Sequence, residues 1–251
     1  MTKIALVTGA SAGFGKAIVK KLVADGYQVI ASARRLEKLQ SLQAELGSDK
    51  VYPLQMDISE PKLIDQALAS LPETWQHIDL LVNNAGLALG LDKAYEADFT
   101  DWMTMINTNI VGLVYLTRQV LPDMVKHNSG MIINLGSTAG TIPYPGANVY
   151  GASKAFVKQF SLNLRADLAG TKIRVTNIEP GLCEGTEFSN VRFKGDDERT
   201  EKLYEGAHAI TPEDIANTVS WVASQPEHVN FNRIEMMPVS QTYGAQPVYR
   251  D

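Results

Sequence analysis

The segment IALVTGASAGFG, Ile4–Gly15, sets a short apolar, β-branched run against a turn with glycines at 9, 13 and 15. A nearly unbroken apolar run of that length reads as a strand buried on both faces. Gly9 permits a tight turn, Gly13 lets backbone approach a pyrophosphate, and Gly15 allows close packing of the following helix on the strand. Ser11 and Phe14 sit in the same turn. Amides freed at the helix start, with its positive end, hold phosphate. The spacing is G-x-x-x-G-x-G and not the G-x-G-x-x-G fingerprint. The assignment therefore rests on mechanism and on the turn's position, after a strand and before a helix.

Outward from this turn the rhythm repeats. YQVIAS (27–32), VYPLQM (51–56), IDLLVN (78–83), GMIINL (130–135), IRVTNI (173–178) and a weaker RIEMM (233–237) read as further strands. Between them, segments 14–26, 35–47, 60–71, 102–125 and 154–170 carry helical periodicity, three of them closing on glycine. Strand–helix alternation predicts an α/β class, a doubly wound parallel sheet of the Rossmann type. No linker or composition shift divides the chain, so residues 1–251 are expected to form a single domain. Two stretches break the pattern. Residues 183–210 are charged and weakly periodic, as a lid, a binding loop or a disordered segment would be. The tail 238–251 lacks periodicity but carries Val239, Tyr243, Val248 and Tyr249, as a frayed or a docked end would.

A formal net charge of −5 with no basic block argues against nucleic acid or an anionic membrane as partner. With Cys183 the sole cysteine, no intramolecular disulfide is possible. His77, His127, His208 and His228 are scattered without ligand spacing, so no metal site is expected. Neither a signal peptide nor a membrane span is visible, and the chain reads as a cytoplasmic protein.

The end of the second strand discriminates between dinucleotides. A plain ribose calls for an acidic residue about 20 positions past the glycines. Here Arg34 stands nineteen positions after Gly15, Arg35 follows, and no Asp or Glu occurs from Gly26 through Arg35. Guanidinium suits a 2′-phosphate through charge-assisted bonds, which favours NADP(H) over NAD(H). Asp57, after the third strand, suits either the adenine amine or the start of the next helix.

TGASAGFG, NNAG (83–86), a strand ending GS (136–137), YGASK (150–154) and PG (180–181) occur in this order over nearly the full length. With these motifs the chain resembles the short-chain dehydrogenases/reductases. NNAGLALG, NVYGASKAFVKQFSLNLRADL, GTEFSNVRF and EMMPV are similar to the NADP-dependent 3-hydroxy acid dehydrogenases, among them serine 3-dehydrogenases and malonic semialdehyde reductases. The resemblance implies Tyr150 as the proton-transferring residue and Ser137 as the hydroxyl holding the substrate oxygen. Lys154 is implied to bind ribose and lower the pKa of Tyr150. Asn109 is implied as the asparagine whose helix kink anchors a relay water. On the cofactor side it implies Asn84 and Gly86 beside the adenosine, and Pro180, Gly181, Leu182 and Thr186 beside the nicotinamide, with Glu184 placing an acid near that ring. It also implies a homotetramer, assembled through two long helices and the C-terminal region.

A free phenol, with a pKa of about 10, is a poor base at neutral pH. Tyr150 and Lys154, at i and i+4, share one helical face, and a neighbouring ammonium favours phenolate. The implied substrates are small 3-hydroxy acids (serine, allo-threonine, 3-hydroxyisobutyrate, 3-hydroxypropionate) and malonic semialdehyde. Their carboxylate needs a cation; Arg192, first because it can bind bidentately, or Lys194 can supply it, or either is a solvated loop charge. Tyr144 walls the pocket or packs its own loop. A reductase for another small carbonyl or alcohol, a sugar epimerase, and a non-catalytic NADP(H) sensor are the rivals. Length speaks against the epimerase, and the intact Ser137, Tyr150 and Lys154 against the sensor.

Overall fold

A computed structural model describes residues 2–244. The elements run β1 (Ile4–Thr8), α1 (Gly13–Ala24), β2 (Gln28–Ala33), α2 (Leu36–Leu46), β3 (Val51–Gln55), α3 (Pro61–Ala69), β4 (Leu80–Asn83) and α4 (Phe99–Ile106). They continue with α5 (Leu113–His127), β5 (Met131–Leu135), α6 (Asn148–Asp167), β6 (Arg174–Pro180), α7 (Phe188–Arg192), α8 (Asp197–Tyr204), α9 (Pro212–Ser224) and β7 (Arg233–Met236). The seven strands form one sheet in the order β3-β2-β1-β4-β5-β6-β7, every pair parallel. Strand order reverses between β1 and β4. Doubly wound sheets open a crevice outside the carboxyl ends of the strands at such a point.

Both faces of the sheet are covered, which is why the strands read as continuous apolar runs. In β1, Ala5 and Val7 pack with Ile18, Val19 and Leu22 of α1 and with Ile215 and Val219 of α9. Ile4 and Leu6 point the other way, to Ile64 of α3, Leu116, Val120 and Met124 of α5, and Leu164 of α6. Each fully buried side chain of this size contributes about 1.5–3 kcal/mol relative to exposure. Buried amides then fix the site-bearing helices. Asn83 Nδ2 donates to Thr117 Oγ1 (2.9 Å) and Asn134 Oδ1 (2.8 Å), and Asn134 Nδ2 donates to Ser161 Oγ (2.8 Å). At the sheet edge, Arg233 holds the buried Glu179 carboxylate through two bonds of 2.8 and 2.6 Å.

Four features differ from the sequence reading. Helix α9 falls where no element is predicted; its Thr211–Asp214 capping box and Pro212 at the first turn were the signal for it. Helix α6 begins at Asn148, not Lys154, so Tyr150 lies in its first turn. The stretch 183–210, read as a lid, a binding loop or a disordered segment, carries two short helices, α7 and α8. The 102–125 helix is two helices joined by a π-helical segment, Asn107–Gly112, where Gly112 abuts the Ile58 carbonyl. A Cβ there would sit 2.1 Å from that oxygen.

The histidine reading also needs correction. His77, just before β4, and His127, at the end of α5, lie with ring centroids 4.3 Å apart and planes tilted by 58°, because the sheet brings the two segments together. Among the described residues no helix is long and apolar enough to cross a membrane. In the tail, Gln241 docks on the loop after β6, its Oε1 accepting from Leu182 N (2.7 Å). Tyr243 reaches Glu235, while Val248 and Tyr249 lie outside the described residues.

Candidate active site

A cavity of about 750 Å³ opens over the carboxyl ends of β1, β4, β5 and β6. The glycine turn forms its floor. Gly9 adopts φ +67°, and Asn84 Nδ2 ties the turn to β4 by donating to Thr8 O (2.8 Å). A Cβ on Gly15 would lie 2.2 Å from the Gly9 carbonyl oxygen, so only glycine lets α1 start this close to β1. Helix α1 has no side-chain cap and no acidic residue in its first turn. Its unsatisfied amides and positive end thus face the cavity floor as an anion seat. A dinucleotide pyrophosphate fits that cradle.

At one end of the cavity lie Arg34, Arg35 and Asp57, with Ser11 and Phe14 beside them. Arg35 donates to Ser11 Oγ (2.9 Å) and pairs bidentately with Glu187, at 3.1 and 2.7 Å. Lys38 reaches the same carboxylate at 3.2 Å. The pair holds the guanidinium above, and the carboxyl below, their ordinary ranges through mutual hydrogen bonding. Asp57 Oδ1 accepts from Ser59 N and Oγ (3.0 and 2.7 Å), while Glu60 occupies the cap position of α3. Its local turn role is thus real, and the carboxylate still lines the cavity.

At the other end Ser137, Tyr150 and Lys154 converge. Ser137 caps a short turn after β5, its Oγ accepting from Ala139 N at 3.1 Å. Tyr150 and Lys154 are both buried in α6. Lys154 Nζ donates to the Leu135 carbonyl (2.8 Å) and lies 5.9 Å from the Tyr150 ring centroid. Gly86 makes room for this arrangement, since a Cβ there would stand 3.2 Å from Asn109 Oδ1 and 3.4 Å from Lys154 Nζ. Asn109, buried in the π-helical segment, uses its side chain to grip the loop after β4. It accepts from Leu87 N and donates to Leu87 O (both 2.9 Å) and to Ser153 Oγ (3.0 Å). Asn109 does not line the cavity; it positions what does.

Burial is the largest influence on Tyr150 and pushes its pKa well above the ordinary phenol value. Ser137 and Arg192 pull in the lowering direction, Tyr144 and Cys183 in the raising one, and Lys154 is not among the groups that move it. The same burial draws Lys154 down to about 8. Burial therefore favours the protonated phenol of Tyr150 over phenolate.

Between the two ends, Pro180, Gly181, Leu182 and Thr186 line the wall. Gln241 lines it too, a residue the sequence reading missed because its docking onto Leu182 has no local signature. Glu184 is not in the wall; the acid there is Glu187. Lys194 also lies outside the cavity, paired with Asp101 at 2.9 Å. Arg192 is inside it. Its guanidinium sits 5.4 Å from the ring centroids of both Tyr144 and Tyr150, with Nε donating to the Gly90 carbonyl at 3.2 Å. Its Nη2 is buried and has no hydrogen-bond partner among the described residues. Phe188 packs against Tyr150 from the same side, 5.6 Å between centroids. Burial pushes the neighbouring Cys183 thiol up to about 12, leaving it a structural group.

Residues 3–197 match the family described as short chain dehydrogenase. A probable NADP-dependent dehydrogenase of Haemophilus influenzae is 61% identical over 250 residues, covering 100% of this chain and 99% of that one. The NADP-dependent 3-hydroxy acid dehydrogenase YdfG of Escherichia coli strain K12 is 59% identical over 247 residues, covering 98% and 99%. The closed form of serine dehydrogenase complexed with NADP+ superposes with a TM-score of 0.97 at 59% identity, covering 99% of this chain and 100% of that one.

Proposed function

The chain belongs to the short chain dehydrogenase family, and on that premise we propose that it is an NADP(H)-dependent oxidoreductase interconverting small 3-hydroxy acids with their 3-oxo acids or semialdehydes. Malonic semialdehyde, serine and 3-hydroxypropionate are its substrate class. One observation carries the substrate assignment: the buried, unpartnered Nη2 of Arg192, in the cavity beside Tyr150. A buried guanidinium nitrogen without an acceptor costs free energy, and a substrate carboxylate is the group that recovers it.

In this reading the glycine turn and the start of α1 hold the cofactor pyrophosphate, and Arg34 and Arg35 hold its 2′-phosphate. Lys154 keeps two N–H donors, beyond the one given to Leu135 O, for the adjoining ribose hydroxyls. When bound, NADPH supplies hydride to the carbonyl carbon and NADP+ accepts it in reverse. Tyr150 donates its phenolic proton to the carbonyl oxygen during reduction, and the Ser137 hydroxyl hydrogen-bonds that oxygen as charge develops on it. Arg192 fixes the carboxylate, so the reacting carbon is set by the short spacer of a 3-hydroxy acid. In the oxidative direction Tyr150 must first lose a proton that burial favours keeping. The chain is further proposed to assemble as a homotetramer. Val125 on α5 and Phe156 on α6 leave apolar surface for that contact, and sedimentation giving a monomer would reject it.

The test compares Arg192→Gln with the parent enzyme on malonic semialdehyde, serine and a neutral aldehyde, each with NADPH or NADP+. Loss of a charge-assisted contact predicts a KM for the acids raised roughly 10- to 100-fold, with little change for the aldehyde. Equal losses on all three would remove the carboxylate role.

A further inference from the structure

The amino-terminal end of the central strands, opposite the cavity, carries a second cluster that the dehydrogenase chemistry does not use. His77, Asp123 and His127 each turn one ligand-type atom into a volume where all three lie within 4.8 Å of one another. His77 Nδ1 stands 2.6 Å from Asp123 Oδ2, and His127 Nδ1 stands 3.4 Å from Asp123 Oδ1. Asp123 and His127 are four apart on the last turns of α5, hence on one face of it. His77 arrives independently, from the segment leading into β4.

We propose that His77, Asp123 and His127 form a site for one divalent transition-metal ion, with Zn2+ as its first occupant. Two imidazoles and one carboxylate make a nitrogen-rich donor set, suited to Zn2+, Co2+ or Ni2+ and not to the all-oxygen preference of Ca2+ or Mg2+. Ligand bonds of about 2.0–2.2 Å in a tetrahedron separate donor atoms by roughly 3.4 Å. The two imidazoles approach different oxygens of Asp123, Oδ2 for His77 and Oδ1 for His127, so the carboxylate lies between them; His127 Nδ1 also stands 2.9 Å from the Asp123 backbone oxygen, a contact it gives up to bind an ion.

The surroundings supply the outer support that metal-bound histidines require. His77 Nε2 faces Asp79 Oδ1 at 3.6 Å, and the other oxygen of Asp79 accepts from Ile4 N at 2.8 Å. The Asp79 backbone is pinned on both sides, its N donating to Ile4 O (2.8 Å) and its O accepting from Met131 N (2.9 Å). The partner of His77 is therefore anchored to the start of the sheet. The three side chains are a little under half exposed, which leaves a route of entry and a position for water as fourth ligand. A bound ion would staple the end of α5 to the entrance of β4.

The experiment uses the full chain without a histidine tag, stripped with EDTA and titrated calorimetrically with Zn2+. Saturation at one ion per chain and a raised thermal midpoint are expected for the parent. His77→Ala and His127→Ala should each weaken binding at least 10-fold and lose the thermal shift, while His228→Ala keeps both. Co2+ should give a visible absorption band in the parent and in His228→Ala, and in neither of the other two variants. Malonic semialdehyde turnover with NADPH, unchanged in every variant, confirms that each is folded. Absence of saturable binding to the parent, or parental affinity in either His77→Ala or His127→Ala, overturns the proposal.

Discussion

Replacing Lys154 by methionine should remove turnover and raise stability at the same time. The fold holds the Lys154 ammonium in a buried position that draws its pKa from the ordinary 10.5 to about 8. At about 1.4 kcal/mol per tenfold, keeping it charged there at pH 7 costs about 3 kcal/mol relative to the unfolded chain. Methionine fills a similar volume without a charge, and its one loss is the hydrogen bond to the Leu135 carbonyl, worth about 1 kcal/mol. The net gain is about 2 kcal/mol, which for a chain of this size raises Tm by roughly 4–8 °C. The pH dependence has a definite sign. A depressed lysine pKa means the unfolded chain binds the extra proton between pH 8 and 10.5. The parent therefore gains stability as pH rises through that window, and its deficit against the variant closes above it. Thermal melts of both proteins from pH 7 to pH 10.5, with NADPH oxidation assayed at pH 7, make the comparison. A variant less stable than the parent at pH 7, or a stability gap flat from pH 8 to 10.5, would refute the burial argument.

In the NADPH complex, malonic semialdehyde reduction should stay flat through neutral and mildly alkaline pH, because burial keeps Tyr150 protonated there. Serine oxidation should instead climb with pH, and a reductive rate already falling near pH 7 would contradict that assignment. Gly15→Ala sets a Cβ 2.2 Å from the Gly9 carbonyl oxygen, so the turn must shift; fluorescence titration should give NADPH affinity weakened at least 10-fold, and unchanged affinity would remove the close-approach role. Arg35→Ala should weaken NADPH roughly 10- to 100-fold through a lost charge-assisted contact while sparing NADH, a selectivity read from the two KM values.

What the sequence made legible was whatever depends on local pattern. Strands buried on both faces announce themselves as apolar runs, and a glycine cluster between strand and helix locates the phosphate seat. Tyr150 and Lys154 were legible because a helix fixes the geometry of i and i+4. Their ionisation was not, since it follows from burial, which only the packed fold sets. Gln241 and His77 escaped for the same reason, each meeting its partners through the sheet and not along the chain, whereas the i, i+4 spacing of Asp123 and His127 was present to be read. Arg192 and Lys194, two residues apart, were both candidate cations, with Arg192 first only for its bidentate fork. The end of α7 separates them, turning Arg192 inward between two tyrosine rings and leaving Lys194 to Asp101. Helix α9 was a miss of another kind, because its capping box was present to be read.

The short segment Glu187–Arg192 joins the two ends of the cavity mechanically. Glu187 holds Arg35 and Lys38 at the phosphate end, Phe188 packs on Tyr150, and Arg192 one turn later lies over the same ring. The ion pairs of Glu187 are 40–50% exposed, so each is worth about 1 kcal/mol or less. A phosphate dianion offers Arg35 shorter, stronger bonds than that carboxylate does, and the pair is weak enough to exchange. Arg192 is held more firmly, by its Nε bond to Gly90 and by the return bond from Gly90 N to Arg192 O at 2.9 Å. Movement of this segment therefore has its soft end at Glu187 and its stiff end at Arg192. The unpartnered nitrogen of Arg192, proposed to take the substrate carboxylate, stays beside Tyr150 whichever acid Arg35 is holding.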